Sequence, residues 1–138
     1  MSYNHGMAEK ENQSTGVILD TDIGYDADDF FALLLLLNSP ELDIDLIVTG
    51  DEVDGKRFQL TKKILRISGH TDIPILTGAD LGNKNFPVNE LIVGESSAAA
   101  DPDVIEKMKN MIDCFEKITY INIQGFSNLS ALDRKSVV

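Results

Sequence analysis

Five aspartates lie within a ten-residue stretch near the start of the chain, directly after a short apolar run: Asp20, Asp22, Asp26, Asp28 and Asp29. Carboxylates crowded within a few ångströms raise one another's pKa unless a cation neutralises them. A hard divalent ion suits such a set, and Ca²⁺ accepts several carboxylates in irregular geometry more readily than Mg²⁺ does. We therefore expect a metal site here. The alternative is helix capping, which would account for one or two of these acids.

The residues on either side of the aspartates predict a strand followed by a helix. Val17 to Leu19 form a short apolar run without polar alternation, which is typical of a buried strand in a parallel sheet. Ala32 to Leu37 are rich in leucine and predict a helix, which Asn38-Ser39-Pro40 should end. The acids would then lie on the turn at the carboxyl end of the strand, where open α/β sheets bind ligands.

Strands and helices are predicted to alternate along the rest of the chain. Three further strands are indicated by short apolar runs between turn residues: Asp43–Thr49, Ile73–Leu76 and Ile118–Ile123. One helix should bury Leu60, Ile64 and Ile67 on a single face and end at Gly69. Another should begin at Asp101-Pro102 and bury a second apolar face: Ile105, Met108, Ile112 and Phe115. This order predicts an α/β fold, with an open, mostly parallel sheet, flanking helices and a Rossmann-like start.

Composition limits the partners of the protein. Acidic residues outnumber basic ones by 23 to 12 among 138 residues, and the formal charge of −11 argues against nucleic acid or an anionic membrane as a partner. No run is long and apolar enough to span a membrane. Cys114 is the single cysteine, which excludes an internal disulfide and fits a reducing compartment. We expect a cytoplasmic protein.

Three segments are expected to lie outside the ordered core. Residues 1–15 are polar and are interpreted as a disordered leader. Gly82 to Asp101 has no clear period and indicates a lid or a disordered loop. Residues 133–138 follow a helix that has barely begun and are interpreted as a non-native tail. Residues 16–132 would then be the native part of an apparently truncated domain.

Three places in the sequence resemble one enzyme family. The first is Asp20-Thr21-Asp22-Ile23-Gly24-Tyr25-Asp26-Ala27-Asp28-Asp29, and the second is Thr49-Gly50-Asp51. The third combines Gly78 with Gln124-Gly125-Phe126-Ser127-Asn128. Together they are similar to the N-terminal portion of the calcium-dependent nucleoside hydrolases of the inosine–uridine-preferring type. The resemblance runs from about Val17 to Leu132.

The resemblance implies a role for each matching residue. Asp22 and Asp29 would be side-chain ligands of Ca²⁺, and Ser127 would add its backbone carbonyl. Asp28 would be the general base that deprotonates a calcium-bound water. Two residues would contact the substrate: Asp51 at the ribose hydroxyls and Asn128 at the border of the metal site. Asp20 and Asp26 would lie behind the ligands, where Asp20 holds the turn.

The implied reaction is hydrolysis of the N-glycosidic bond of ribonucleosides, in purine and pyrimidine salvage, to give free base and ribose. In this family the last calcium ligand and the leaving-group acid belong to a C-terminal half that the sequence does not contain. Neither His5 nor His70 can be assigned as that acid. We therefore expect an incomplete site with little activity, and a homo-oligomer when the protein is full length.

Two other functions remain open from the sequence. A haloacid-dehalogenase-type phosphatase would use Asp20 as nucleophile and Asp22 as acid, with Mg²⁺ as cofactor and Thr49 after the next strand. That reading leaves Asp28 and Asp29 without a role. The other possibility is a hydrolase-like protein that binds calcium without catalysis.

Overall fold

The computed structural model of the protein describes residues 15–51, 53–82, 85–88 and 101–136. Strands and helices alternate throughout these residues. The strands are β1 (Thr15–Thr21), β2 (Ile44–Thr49), β3 (Ile75–Thr77) and β4 (Lys117–Asn122). The helices are α1 (Asp28–Leu37), α2 (Lys56–Ser68), α3 (Val104–Ile112) and α4 (Ser127–Ser136).

The four described strands form one sheet in the order β3-β2-β1-β4. Each neighbouring pair is parallel, so all the carboxyl ends meet at one edge. In the register of the sheet, Asp20 of β1 lies between Val48 of β2 and Asn122 of β4. The predicted α/β class with a parallel sheet is confirmed, and the turn that carries the acids follows an interior strand.

Both faces of β1 are covered, as its unbroken apolar run predicts. Val17 and Leu19 pack with α1 and α2 on one face, where Leu33 is fully buried. Ile18 points to the other face and packs with Met108 of α3 and Leu132 of α4. Side chains alternate along a strand, so three consecutive residues supply both cores.

The ends of two helices agree with the sequence signals. Helix α1 ends at Asn38, whose side-chain amide donates to the Leu34 carbonyl at 2.8 Å. The Ser39 hydroxyl donates to the Leu35 carbonyl at the same distance, 2.8 Å. Helix α2 ends at Gly69, which has a φ of +82° and takes the left-handed conformation that glycine adopts without strain.

The prediction of which α2 side chains are buried is wrong at one position. Ile67 is 75% exposed, whereas Leu65 is 2% exposed. Leu60 and Ile64 are buried as predicted. The inward face of α2 therefore includes the fully buried polar side chains of Arg57 and Thr61.

Strand β3 differs from its prediction, since it begins at Ile75 rather than Ile73 and extends to Thr77. Pro74 has no N–H to give to a ladder and contributes only its carbonyl, which accepts from the Ile47 N–H at 3.0 Å. Strands β2 and β4 agree with prediction to within one residue at each end.

Several expected features fall partly outside the described residues. Residues 1–14 of the predicted leader lie outside them, whereas Thr15 is the first residue of β1. Most of the predicted loop from Gly82 to Asp101 also lies outside, but Phe86 and Val88 pack against the core. Helix α4 extends to Ser136 and so includes most of the predicted tail. None of the helices described is long and apolar enough to cross a bilayer.

Candidate functional site

The turn after β1 brings three carboxylates together. Oxygen atoms of Asp26, Asp28 and Asp29 lie within 4.8 Å of one another. Asp28 and Asp29 form the first turn of α1, where free N–H groups favour negative charge. The backbone reaches this position through Gly24, which has a φ of +105°. Oxygen donors at this spacing suit a hard cation.

Asp29 is the buried member of this acidic group. Its Oδ1 accepts a hydrogen bond from the Thr21 hydroxyl at 2.8 Å, which ties the start of α1 to the end of β1. Burial, with a smaller contribution from the negative charges of Asp22, Asp28 and Asp26, raises the pKa of Asp29 to about 6, although the Thr21 hydrogen bond lowers it. A cation placed here would remove this electrostatic penalty.

Asp26 and Asp28 are exposed and share a hydrogen bond. This bond raises the pKa of Asp26 and lowers the pKa of Asp28. The N–H of Asp29 also donates to Asp28 Oδ1, at 3.0 Å, which further favours the ionised form of Asp28. An ionised, accessible carboxylate is what a general base requires at neutral pH.

Asp22 lies beside this group but is not one of its three members. Its negative charge contributes to the raised pKa values of Asp29, Asp26 and Asp20. The resemblance pairs Asp22 with Asp29 as ligands and places Asp26 behind them. In the structure Asp29 is grouped with Asp26 and Asp28, and Asp22 is adjacent.

Asp20 forms the centre of a buried network at the same edge of the sheet. Its carboxylate is 0% exposed and accepts from the Tyr120 hydroxyl at 2.6 Å and the Asn128 amide at 3.0 Å. The Gln124 amide also donates to it. Burial raises the pKa of Asp20, and the three hydrogen bonds partly offset that rise. The network joins β1 to β4 and α4 through this one carboxylate.

Two glycines make room for this network. A Cβ at Gly78 would lie 2.8 Å from Cγ of Asn128, and a Cβ at Gly50 would lie 2.6 Å from Cδ of Gln124. Both approaches are closer than real Cβ contacts allow. These glycines belong to the second and third places of the resemblance, and their lack of a side chain is what admits the two amides.

The remaining predicted residues lie at the same edge. Asp51 follows β2, is buried, and accepts from the Leu81 N–H at 3.2 Å through its Oδ1. The side-chain Oδ1 of Asn128 accepts from the Ala79 N–H at 2.8 Å, so Asn128 bridges Asp20 and the loop after β3. Ser127 is the first residue of α4. Its hydroxyl is buried and has no hydrogen-bond partner among the described residues.

The sequence reasoning missed Tyr120 and Arg57, and it included Gln124 in the third place of the resemblance without giving it a role. Tyr120 and Gln124 both donate to Asp20. Arg57 is fully buried and donates to backbone carbonyls on the turns after β1 and β2. The available signal for Arg57 was a cation at the start of a helix, where the macrodipole disfavours positive charge.

The environment of Asp20 does not favour the phosphatase alternative. An aspartyl nucleophile must be reached by its substrate, whereas Asp20 is 0% exposed and both of its oxygens accept hydrogen bonds. Asp28 and Asp29, which that alternative leaves without a role, belong to the carboxylate group of the structure.

Comparison with known proteins gives sequence similarity to nucleoside hydrolases. The pyrimidine-specific ribonucleoside hydrolase RihA of Photobacterium profundum is 41% identical over 68 residues, which cover 48% of this chain and 21% of that protein. The probable uridine nucleosidase 2 of Arabidopsis thaliana is 28% identical over 136 residues, which cover 83% of this chain and 40% of that protein. No protein-family profile matches the chain.

Solved structures show the same fold. A plant nucleoside hydrolase, PpNRh1, superposes with a TM-score of 0.64 at 21% identity over 88% of this chain and 43% of its own. A purine-preferring ribonucleoside hydrolase from Gardnerella vaginalis gives a TM-score of 0.66 at 19% identity over 88% of this chain and 44% of its own. The chain therefore spans less than half the length of these proteins. Curated relatives and solved structures together support the resemblance to the nucleoside hydrolase family, and the fold is that of its structurally known members.

Proposed function

We propose that this chain forms the metal- and ribose-binding portion of a nucleoside hydrolase of the inosine–uridine-preferring type, acting on ribonucleosides. The observation that carries the proposal is the group of Asp26, Asp28 and Asp29 carboxylates within 4.8 Å, on the turn after β1. The similarity to proteins named as ribonucleoside hydrolases and a uridine nucleosidase supports it. The position also supports it, because the carboxyl edge of a parallel sheet is where such folds bind ligands.

The cofactor we propose is Ca²⁺. The side chains of Asp22 and Asp29 and the Ser127 carbonyl would hold it, with Asp26 and Asp28 close by. The donors are all oxygen, and the pKa of Asp29 is raised to about 6 by burial first and by the neighbouring negative charges second, both of which a bound cation would counteract. When bound, the ion would lower the pKa of a neighbouring water and hold ribose hydroxyls.

Each of these residues would have a separate role in the reaction. Asp28, whose pKa is lowered by the Asp26 hydrogen bond, would accept the proton of the attacking water. Asp51 would accept hydrogen bonds from ribose hydroxyls. Cleavage of an N-glycosidic bond passes through an oxocarbenium-like state, and the surrounding carboxylates would stabilise its positive charge. Asn128 would border the site by holding the loop after β3 through the Ala79 N–H.

The proposal includes a cellular setting. A salvage enzyme of this kind would act in the cytoplasm on small-molecule substrates, and the full-length protein would form a homo-oligomer. The formal charge of −11 makes nucleic acid and anionic membranes unfavourable partners.

Calorimetric titration of the chain with Ca²⁺, with and without ribose, tests the metal and sugar sites together. We expect Ca²⁺ to bind and to tighten the binding of ribose. Asp29→Asn should weaken Ca²⁺ binding by about tenfold or more, equivalent to about 1.4 kcal/mol. The matched control is Asp113→Asn, an exposed acid just after α3 at the opposite edge of the sheet. Equal affinity in the two variants would contradict the proposed ligand set.

A ribose-release assay tests catalysis by the same 138 residues. The resemblance assigns no leaving-group acid to any of them, and general acid catalysis contributes roughly 10²–10⁴-fold to rate. We therefore expect turnover to be lower than that of a full-length nucleoside hydrolase by about that factor. Comparable turnover would contradict this assignment. Calcium binding that ribose leaves unchanged would favour the non-catalytic alternative.

A further inference from the structure

Arg57 is the largest of the fully buried side chains in the described part of the chain. It is the second residue of α2, where the helix macrodipole disfavours a positive charge. A buried cation is unfavourable unless polar groups replace the water it has lost. The groups that take this place show what the residue does.

The guanidinium donates to peptide carbonyls on three separate segments. Nη1 donates to the carbonyls of Ile23, at 2.9 Å, and Asp22. Nε donates to the Asp51 carbonyl at 2.9 Å, and Nη2 donates to the Asn85 carbonyl at 3.5 Å. The ring of Phe86 lies 5.8 Å from the guanidinium carbon, within the range of a cation–π contact. One side chain thus joins the turn after β1, the turn after β2 and the segment 85–88.

Two of these segments each carry an acid of the candidate site. Asp22 is a proposed metal ligand, and Asp51 is the proposed ribose ligand. Because the peptide group is planar, fixing a carbonyl also fixes the direction of the backbone that carries the neighbouring side chain. Asp51 has a φ of +51°, which is uncommon for a residue other than glycine and needs support from its surroundings. The Arg57 hydrogen bond to its carbonyl supplies such support.

We propose that Arg57 is a positioning residue that sets the separation of Asp22 from Asp51 and thereby couples calcium binding to ribose binding. The identity of the two ligands rests on the proposed function; the bridge itself is a property of the fold. Lysine cannot reproduce the bridge, because its single ammonium lacks the rigid fork that lets Nη1 and Nε reach different turns.

The experiment compares Arg57→Met and Arg57→Lys with Thr61→Val as matched control. Thr61 is fully buried in the same helix, and its hydroxyl donates to the Arg57 carbonyl at 2.9 Å. Its replacement removes a buried hydrogen bond without altering either acid-bearing turn. Calcium and ribose affinities are measured by calorimetry on the whole chain, at a temperature at which circular dichroism shows each variant folded. Hydrogen exchange of the Ile23 and Asp51 amides gives a readout that needs no ligand.

We expect Arg57→Met to weaken calcium binding by about 10–100-fold, as for other residues that orient metal ligands, and to speed exchange at both amides. It should also abolish the effect of calcium on ribose affinity, with Arg57→Lys intermediate. Thr61→Val should lower the melting temperature but change calcium affinity by no more than about twofold.

Two results would overturn the inference, and a third separates it from the proposed function. The first is a calcium affinity of Arg57→Met within about twofold of the unsubstituted chain. The second is equal weakening of calcium binding by Thr61→Val, which would indicate a general loss of stability. The third is a lack of calcium binding by the unsubstituted chain, and this result contradicts the proposed function. In that event amide exchange decides for Arg57: unchanged protection overturns the positioning role, and faster exchange at both amides supports it.

Discussion

Replacement of Asp20 tests how far the carboxyl edge of the sheet depends on one buried carboxylate. Its Oδ1 accepts from Asn128 and Gln124, and its Oδ2 accepts from Tyr120. Asparagine keeps the shape, offers one oxygen to the two amides, and can donate through its nitrogen to the Tyr120 hydroxyl oxygen. Alanine leaves all three donors without their acceptor. We predict that Asp20→Ala is far more destabilising than Asp20→Asn.

The magnitudes follow from the three hydrogen bonds. A hydrogen bond to the charged carboxylate contributes about 1.5–3 kcal/mol, and a hydrogen bond to the neutral asparagine amide contributes about 0.5–1.5 kcal/mol. The relief of burying a charge offsets part of this loss, so Asp20→Asn should lower the free energy of unfolding by about 1–3 kcal/mol. In Asp20→Ala the buried Asn128 donor loses its acceptor at a cost of about 1–3 kcal/mol, and the part-buried Tyr120 and Gln124 donors, which water can reach, each cost less, so the total is well below about 9 kcal/mol. Since domains are stable by only about 5–15 kcal/mol, that variant should lose a large part of its stability.

Urea unfolding at neutral pH without metal, followed by circular dichroism, measures both changes. The control is Asp45→Asn, at the other end of the sheet, where Asp45 Oδ2 accepts a single hydrogen bond from the Val17 N–H at 2.9 Å. Asparagine can still accept this bond, so a change within about 0.5 kcal/mol is expected. Equal unfolding midpoints for Asp20→Ala and Asp20→Asn would refute the view that the three donors depend on this acceptor.

Three further predictions concern the site and its support. Folding raises the pKa of Asp29 from 3.8 to about 6, so without metal Asp29 alone should lower the stability of the chain by less than about 3 kcal/mol as pH rises from about 4 to above 6. The difference between urea titrations of the unsubstituted chain and of Asp29→Asn across that range measures this contribution, and parallel profiles contradict it. Calcium at about 100 times its Kd should add about 2.7 kcal/mol to the free energy of unfolding, reversed by a chelator. Gly78→Ala should lower the free energy of unfolding by about 1–3 kcal/mol, because the added Cβ would meet the Asn128 side chain. Thermal melts compare it with Gly82→Ala, a control in which the added Cβ would meet nothing within 4 Å and the φ of +81° introduces backbone strain alone.

The parallel sheet could be predicted because its signals are local. Val17 to Leu19 form an unbroken apolar run, and β1 is indeed buried on both faces. Asn38 and Gly69 mark the ends of their helices through side-chain and backbone chemistry that sequence alone reveals. The meeting of the acids with Asp51 at one edge followed from the parallel order of the strands.

The inward face of α2 could not be predicted from apolar spacing. That pattern selected Ile67, which is 75% exposed, and ignored Arg57 and Thr61, which are both 0% exposed. The partners that make burial of Arg57 possible are backbone carbonyls of Asp22, Ile23, Asp51 and Asn85, which have no side-chain signature in the sequence. Interactions with the main chain of distant segments become visible only once the fold brings those segments together.

The aspartates at the end of β1 and at the start of α1 show how environment gives one residue type different properties. Asp20 is buried among three donors and serves the fold. Asp29 is buried, accepts a hydrogen bond from Thr21 and lies near other negative charges, so a bound cation would stabilise its ionised form. Asp28 is exposed and held ionised, which suits proton transfer. Substitutions at Asp20 should therefore appear first in the unfolding of the chain, and substitutions at Asp28 and Asp29 first in its binding of metal and its chemistry.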